Sequence, residues 1–286
     1  MAMASNIIRG RGFLNQATIF LTGYEWVHGR IGVAGSVSNL GVVRQSPLFA
    51  IQDQVRLDFG WDLEKDRFSI HSMLDELTSF KNSQWNEDTR SVHLQHIQNK
   101  LQTAEKVVVI GAAVEAIELE SMLNDETVII AADGAVGVFS ELMDAEKGWS
   151  RLAAVVSDAD GFPHLREAID RSHPIFLHAH GDNVNEWREM LKLCNQHSSP
   201  LVLTHQCPDV LEGAINPGGF TDGDRAIALA IHLGIPIERI SLCGFTTQRI
   251  GRWTGQTDPE KKMRKLKWMA KVIEYSGVEW GESHGF

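Results

Sequence analysis

The sequence predicts an α/β fold: a mainly parallel sheet of about six strands with helices on both faces, plus a helical N-terminal part. Six short apolar runs are separated by stretches that mostly have helical spacing, as in parallel sheets buried on both faces. Four of the six runs end in Gly or Asn, and ligands of such sheets bind beyond the carboxyl ends of the strands. The runs span residues 106–111, 127–134, 151–161, 173–183, 199–207 and 239–245.

The bulk properties limit the kind of protein that the chain encodes. Its 286 residues are 43% hydrophobic, which is enough for a sizeable core. The net charge of -10 argues against nonspecific nucleic-acid binding, which needs a basic surface. No apolar run is long enough to span a membrane, so we expect neither nucleic acid nor membrane among the partners.

Three cysteines, Cys194, Cys207 and Cys243, are widely spaced. This spacing is typical of reduced thiols, and we expect a cytoplasmic protein. A zinc site formed by Cys207 and His205 is disfavoured, because paired ligands at short spacing are missing.

Composition and pattern divide the chain into three parts. Residues 1–55 are rich in Gly and Ser and less acidic than the rest, and we interpret them as an N-terminal extension to which we assign no role. Residues 56–104 form the helical N-terminal part, and residues 105–286 form the α/β domain. The helical spacing is carried by Phe68, Ile70, Met73, Leu74 and Leu77, and then by Val92, Leu94, Ile97 and Leu101.

Three aspartates end two neighbouring predicted strands. Asp133 and Gly134 follow the second run, and Asp158 and Asp160 end the third. Asp158 and Asp160 share one side of an extended chain, and they would repel each other unless a cation or protons intervene. We predict a Mg²⁺ site from Asp158 and Asp160, with Asp133 as a third ligand. An ordinary turn at Asp133 and a solvated acidic turn at Asp158 are the structural alternatives.

The segment "HAHGDN" at 178–183 follows the fourth run. His178 and His180 share strand parity, so together they can bind a transition metal, a phosphate or a substrate heterocycle. A buried core histidine is the alternative for His178. Asn183 and Glu186 have the spacing of a capping box, which gives Asn183 a structural alternative. Asp182 has no such alternative and is the better functional candidate.

The segment "NPGGFTDGDRA" at 216–226 precedes a predicted helix that runs to residue 234. Gly218 and Gly219 allow close backbone approach, and Thr221 and Asp222 are good first residues for the helix. A glycine-rich turn at the start of a helix is a ready anion site.

Two acids and one arginine near this helix start determine which kind of anion it could bind. Asp222 and Asp224 would repel a bare phosphate but accept one that is bridged by Mg²⁺, and Arg225 could hold a phosphate oxygen. Neither the Walker pattern nor a G-x-G-x-x-G segment is present.

The last predicted helix, at 258–275, carries five lysines and one arginine. A solvated basic face is the simplest interpretation. In an otherwise acidic chain, one or two lysines of this helix could instead bind a polyphosphate.

Taken in order, "ADGA", "SDADG", "HAHGDN", "GGFTDGDRA" and the lysine-rich helix resemble the archaeal 6-hydroxymethyl-7,8-dihydropterin diphosphokinases, which are related in fold to thiamine pyrophosphokinases. The resemblance covers roughly residues 56–275, and "GGFTDGDRA" with "HAHGDN" is its most specific part. The segment "LDFGWDLEKDRFS" at 57–69 also resembles the N-terminal part of that family.

The resemblance implies a Mg²⁺-dependent transfer of diphosphate from ATP to the pterin hydroxymethyl group, with release of AMP, for folate- or methanopterin-type cofactors. Residues 105–286 would form the catalytic diphosphokinase domain, with ATP and a reduced pterin as small-molecule partners, and a homo-oligomer is compatible with this. Asp133, Asp158, Asp160 and Asp182 would lie in the metal and nucleotide cleft, and Gly219, Thr221, Asp222, Asp224 and Arg225 would border the nucleotide.

The chain departs from the family pattern in three places. "GAAVEA" at 111–116 stands where the family often has a turn with Gly and Pro, "SDADG" replaces the more usual "TDLDG", and "CGFTTQRIG" at 243–251 lacks an acid soon after its glycine. The last departure leaves the acceptor open. A diphosphokinase of thiamine type with another acceptor is therefore one alternative, and a non-catalytic nucleotide- or metal-binding module is the other.

Diphosphoryl transfer depends mainly on in-line positioning and charge neutralisation. We expect Asp158 and Asp160 to hold Mg²⁺, and Arg225 and a lysine of the last helix to stabilise developing charge. The hydroxymethyl proton would go to His180, Asp182 or another carboxylate, and the sequence does not choose. Candidates for a flat pterin slot are Phe220, Trp253 and Trp187.

Overall fold

A single parallel sheet forms the centre of the fold. The computed structural model describes residues 46–281, and its seven strands lie in the order β6-β5-β4-β3-β2-β1-β7. The predicted α/β class and parallel sheet are confirmed, and every predicted run contains a strand. The sequence missed β6, which has two residues and pairs only with β5. The strands are β1 (Lys106–Ile110), β2 (Thr127–Ala132), β3 (Leu152–Ser157), β4 (Ile175–Ala179), β5 (Leu201–His205), β6 (Ala214–Ile215) and β7 (Ile240–Cys243).

Three helices precede the sheet, and residues suited to helix starts begin them. The first has Pro47 in its first turn, and the side chains of Asp62 and Asn86 accept hydrogen bonds from amides at the starts of the other two. The first helix thus begins inside the stretch that composition assigned to the extension, whose residues 1–45 lie outside the described part. The helices are α1 (Pro47–Phe59), α2 (Leu63–Ser79) and α3 (Glu87–Thr103).

Six further helices follow within the α/β part. Together with the N-terminal helices they cover both faces of the sheet: α2 and α4 to α7 pack on one face, and α3, α8 and α9 on the other. None of the described helices has the length and apolarity to cross a bilayer. They are α4 (Ala116–Met122), α5 (Ala145–Arg151), α6 (Leu165–Asp170), α7 (Val184–His197), α8 (Asp222–His232) and α9 (Pro259–Ser276).

Strand residues alternate between two hydrophobic cores. In β1, Val108 and Ile110 face one core, and Val107 and Val109 face the other. Both faces are buried, which explains why the strands have nearly continuous apolar sequences. A third cluster, around Ile51, joins α1 to α8 and α9.

Two apolar residues assigned to the predicted helical faces are exposed. Phe68 is 64% exposed and Val92 is 63% exposed, whereas Ile70 and Leu94 are buried. Each exposed residue is two positions before a buried one. Two positions turn a helix by about 200°, so Phe68 and Val92 lie on the opposite side of their helices.

The strand order reverses at β1. The chain adds β2 to β6 on one side of β1 and then returns to add β7 on the other. In open parallel sheets, a crevice at such a reversal is the usual ligand site. The loops after β1, β2, β3 and β7 and the start of α8 line a common cleft there.

Candidate active site

The cleft at the strand-order reversal is closed on one side by α9. Gly134 lies where the loop after β2 meets the loop before α9, and a Cβ on Gly134 would lie 2.3 Å from the carbonyl oxygen of Trp253. Thr221 and Lys262 line the same cleft from α8 and α9. The predicted glycine therefore lies at the cleft, and its lack of a side chain is required by protein packing.

Four aspartates, Asp133, Asp158, Asp160 and Asp222, form what we call the acidic cluster. One carboxylate oxygen from each of the first three lies within 4.8 Å of the others. Asp133 accepts a hydrogen bond from Ser157 Oγ at 2.5 Å, but Asp158 Oδ1 is buried and has no hydrogen-bond partner among residues 46–281. Burial, followed by the charges of the other three acids, raises the pKa of Asp133. A divalent cation would give the buried Asp158 oxygen a partner and offset the repulsion between these carboxylates.

The loop after β3 is shaped by two residues that sequence reasoning missed. Ser157 Oγ accepts a hydrogen bond from the Ala159 amide at 2.8 Å and donates to Asp133. A Cβ on Gly161 would lie 2.1 Å from Asp133 Oδ2, so the close packing of the two loops requires glycine. Both residues belong to "SDADG", and they flank Asp158 and Asp160, the acids predicted to bind Mg²⁺.

His180 bridges two carboxylates at the edge of the acidic cluster. Its Nε2 lies 3.3 Å from Asp158 Oδ2, and its Nδ1 lies 2.6 Å from Asp182 Oδ1. Burial lowers the pKa of His180, but hydrogen bonds to both carboxylates outweigh burial and raise this pKa to about 9. The resulting imidazolium lowers the pKa of Asp182, and it lowers the pKa of Asp158 against the effect of burial.

Asn183 joins the loops after β3 and β4. Its Nδ2 donates to the backbone oxygens of Asp158 at 2.9 Å and His178 at 2.7 Å, and its Oδ1 accepts from the His180 amide at 2.9 Å. The alternative of a capping box is wrong, because these bonds occupy the side chain and it does not cap α7. His178 is fully buried with Nδ1 3.0 Å from Thr204 Oγ1, and burial lowers its pKa. It supports the loop from the core and does not face the cleft.

Asp224 lies in a capping box at the start of α8. Its carboxylate accepts hydrogen bonds from the Phe220 amide at 2.5 Å, the Thr221 amide at 3.0 Å and Thr221 Oγ1 at 2.7 Å. The side chain is fully buried. The motif predicts Asp224 at the border of the nucleotide, but its side chain is engaged in fixing the start of α8.

Asp222 faces the cleft, and Arg225 lies behind it. Arg225 Nη1 donates to Asp222 Oδ1 at 3.0 Å, and Nη2 donates to the Phe220 carbonyl at 2.6 Å. The Arg225 side chain is 2% exposed, so it supports α8 from behind and is not positioned to hold a phosphate directly. Burial, followed by the charge of Asp158, raises the pKa of Asp222 to about 7.

Gly218 and Gly219 contact α1. Both have left-handed backbones, with φ of 91° and 80°. The Gly219 amide donates to the Leu48 carbonyl at 3.0 Å, and a Cβ on Gly218 would lie 2.9 Å from the same oxygen. The close approach expected at these glycines is therefore made by α1 in this structure.

Helix α9 brings three lysines to the cleft and its rim. Lys261 Nζ lies 3.4 Å from Asp182 Oδ2, and Lys262 lines the cleft. Lys265 Nζ lies 5.7 Å from the ring centre of Trp61, and its charge lowers the pKa of Asp158. The basic helix thus faces the acidic cluster with part of its surface.

Three aromatic residues, Phe59, Trp61 and Phe220, form what we call the aromatic cluster, next to these lysines. The ring centres of Phe59 and Trp61 are 4.7 Å apart, and those of Trp61 and Phe220 are 5.8 Å apart. Of the predicted slot residues, only Phe220 belongs to it. Trp253 lines the cleft, whereas Trp187 is fully buried and donates to a buried serine, so it cannot line a slot.

The zinc site that the sequence disfavours gains no support in the described part of the chain. His205 Nδ1 accepts a hydrogen bond from the Cys207 amide at 3.2 Å. Within residues 46–281, the group of side chains arranged as metal ligands is that of Asp133, Asp158 and Asp160.

A parallel sheet with an acidic cluster at the strand-order reversal, faced by lysines, is typical of enzymes that act on metal-bound phosphates. Comparisons with known proteins narrow this class. The chain is 30% identical over 234 residues to a 6-hydroxymethyl-7,8-dihydropterin pyrophosphokinase of Pyrococcus furiosus, covering 78% of this chain and 90% of that protein. The chain belongs to this pyrophosphokinase family, and the resemblance drawn from its motifs is confirmed.

Two further proteins of the same name agree. The protein of Methanocaldococcus jannaschii is 29% identical over 241 residues, which cover 78% of this chain and 91% of that protein. The protein of Methanothermobacter thermautotrophicus is 30% identical over 167 residues, which cover 54% of this chain and 64% of that protein. No family model matches the chain. No solved structure matches it either.

Proposed function

We propose that this protein transfers diphosphate from ATP to 6-hydroxymethyl-7,8-dihydropterin, releases AMP and requires Mg²⁺. Membership of the family supports pyrophosphokinase activity on the pterin. The observation that carries the metal and ATP parts is the acidic cluster at the strand-order reversal, which groups carboxylate oxygens, leaves the buried Asp158 Oδ1 without a hydrogen-bond partner among residues 46–281 and lies beside Lys262.

The acidic cluster fits a magnesium ion. Asp133, Asp158 and Asp160 offer oxygens close enough to share one ion. His180 engages only Oδ2 of Asp158, which leaves the buried Oδ1 as a ligand. A bound Mg²⁺ would neutralise phosphate oxygens and fix their position.

We place the ATP phosphates between the acidic cluster and the lysines of α9. Lys262 and Asp160 line the same cleft, and the positive end of the α8 dipole points into it at Thr221. The lysines would oppose the charge that the phosphates carry, while Asp222 would contribute to holding the ion. Arg225 keeps Asp222 in place from behind.

We assign His180 the role of a bridge that orients carboxylates, not the role of the base. Both of its ring nitrogens face carboxylate oxygens, so both carry protons. A doubly protonated imidazole cannot accept the hydroxymethyl proton. That proton would pass to a carboxylate, and Asp182 is the more exposed of the two that His180 holds.

We place the pterin against the aromatic cluster. A flat heterocycle gains from contact with aromatic rings, and Trp61 is half-buried beside the lysines that face the acidic cluster. This would put the acceptor and the nucleotide on neighbouring sides of the same metal site, as in-line transfer requires.

The test is to incubate the protein with Mg-ATP and the pterin, with thiamine in a parallel reaction, and to resolve the nucleotides by chromatography. AMP that forms only with the pterin would support the proposal. ADP would contradict diphosphoryl transfer, and AMP with thiamine alone would favour the thiamine-type alternative. ATP binding without turnover would favour a binding module.

A further inference from the structure

Asp66 is a buried acid behind the cleft, in the first turns of α2. It is 3% exposed. Its Oδ1 accepts a hydrogen bond from the Gly181 amide at 2.8 Å. Its Oδ2 accepts from Gln206 Nε2 at 2.9 Å and from Arg56 Nη1 at 3.2 Å. One carboxylate therefore connects α1, α2, the loop after β4 and the residue that follows β5.

The hydrogen bond from the Gly181 amide to Asp66 lies next to two residues of the candidate active site. Gly181 lies between His180 and Asp182, which form the bridge to Asp158. The hydrogen bond to Asp66 fixes the peptide plane between His180 and Gly181, which contains the Cα of His180 and lies one residue before Asp182. Asn183 fixes the same loop from the other side, through the amide of His180.

The loop also packs directly on α2. A Cβ on Gly181 would lie 2.7 Å from Lys65 Cβ and 3.3 Å from Asp66 Oδ1. Only glycine allows the loop this close to α2, so the sequence at 181 and the acid at 66 serve the same contact.

A buried ion pair is weak evidence for stability alone, because desolvation offsets much of its attraction. Arg56 is 7% exposed, and it also donates to the Gln206 carbonyl at 3.0 Å. The Asp66 carboxylate of this pair also accepts a hydrogen bond from the Gly181 amide. The pair is therefore well placed to hold the loop after β4 in one orientation.

We infer that Asp66 is a positioning residue that anchors the loop after β4 and thereby sets His180, Asp182 and, through His180, the metal-binding orientation of Asp158. This inference rests on the proposed function for its effect on turnover, but not for its effect on the loop or on metal binding.

The test compares two variants with a matched control. Asp66→Ala removes the acceptor, and Gly181→Ala pushes the loop from α2 without changing any charge. Asp209→Asn is the control, because Asp209 pairs with Arg67 of α2 at 2.8 Å and follows β5, outside residues 178–183. For each protein we would measure amide exchange in a peptide over 178–183, Mn²⁺ binding by electron paramagnetic resonance, and the steady-state rates.

Both variants should speed amide exchange in 178–183, weaken Mn²⁺ binding and lower kcat by about ten- to a hundredfold, with smaller changes in KM. The control should leave all three unchanged, whatever its effect on melting temperature. Should Asp66→Ala fail to fold, Gly181→Ala decides.

If the folded variants show the same amide exchange in 178–183 as the wild type, Asp66 does not anchor the loop after β4. Faster exchange with unchanged Mn²⁺ binding and kcat would overturn the positioning role. If the wild type itself makes no AMP, the proposed function fails, and exchange with Mn²⁺ binding still decides the inference.

Discussion

The buried acids of this protein fall into two regions with opposite surroundings. In the supporting region, Asp66 and Asp224 each accept three or more hydrogen bonds from protein groups. In the acidic cluster, Asp133 accepts one from Ser157, and Asp158 Oδ1 accepts none from the described residues. Both regions come from acids at helix starts or strand ends, so residue type and position do not separate them.

The contrast is sharpest within α8, where Asp222 and Asp224 are two residues apart. Asp224 turns back onto the amides before the helix, whereas Asp222 lines the cleft and accepts a hydrogen bond from Arg225. Burial, followed by the charge of Asp158, raises the pKa of Asp222. A carboxylate with its donors in place stabilises the fold. Carboxylates that face one another without donors destabilise it until a cation binds, and that is the expected character of a metal site.

The largest effect is expected from removing the charge of Asp158. Asp158→Asn should reduce Mg²⁺-dependent AMP formation by at least about a hundredfold, because charge neutralisation supplies much of such a barrier reduction. The rate of AMP release, measured at saturating Mg-ATP and pterin, checks it. Near wild-type activity in the folded variant would remove Asp158 from the metal site.

The same comparison shows what the sequence could predict. The parallel sheet followed from six apolar runs, and the acids at strand ends followed from the rule that ligands bind there. Strand order did not follow, because the place of β7 beside β1 depends on long-range pairing that no local pattern encodes.

Within the site, sequence located the acids but could not assign their roles. Asp224 and Asn183 matched binding motifs, but in the structure their side chains bond mainly to backbone groups whose positions depend on the fold. The sequence offers little indication of a role for Asp66 or Gly161. Their roles depend on contacts with residues that are far away in the sequence: Gly181 and Gln206 for Asp66, and Asp133 for Gly161. Trp187 was wrongly placed in a slot, because its burial by α2 is a tertiary contact.

The next effect concerns the supporting region. Asp224→Ala should lower the free energy of unfolding by about 2 kcal/mol, because it removes a capping side chain and leaves buried amides without an acceptor. Urea denaturation measures this loss. Mn²⁺ binding by the folded variant should persist, and its disappearance would erase the distinction between the two regions.

A smaller effect is expected at the aromatic cluster. Trp61→Ala should raise the KM for the pterin by about tenfold, the equivalent of about 1.4 kcal/mol, with little change in the KM for ATP. Tyr275→Phe, at an exposed position near the C-terminal end of α9, is the control. An increase in the KM for ATP alone would indicate that the nucleotide, and not the pterin, binds against the aromatic cluster.

The smallest effect is a dependence of stability on pH. The pKa of Asp222 is raised from 3.8 to about 7, so the folded protein holds a proton that the unfolded chain loses near its ordinary pKa. Stability from this group is therefore present in acid and is lost as pH rises towards about 7. Without metal, Asp222→Asn should raise the melting temperature by a few degrees above that pH and have less effect near pH 5. A larger gain at the lower pH would reverse the assigned sign.

The most direct test of the contrast between the two regions is Mn²⁺ binding, measured by electron paramagnetic resonance without nucleotide on the wild type, Asp158→Asn and Asp224→Asn. The wild type and Asp224→Asn should bind the ion, and Asp158→Asn should lose it. Equal binding by Asp158→Asn and the wild type would contradict the assignment of the acidic cluster as the metal site.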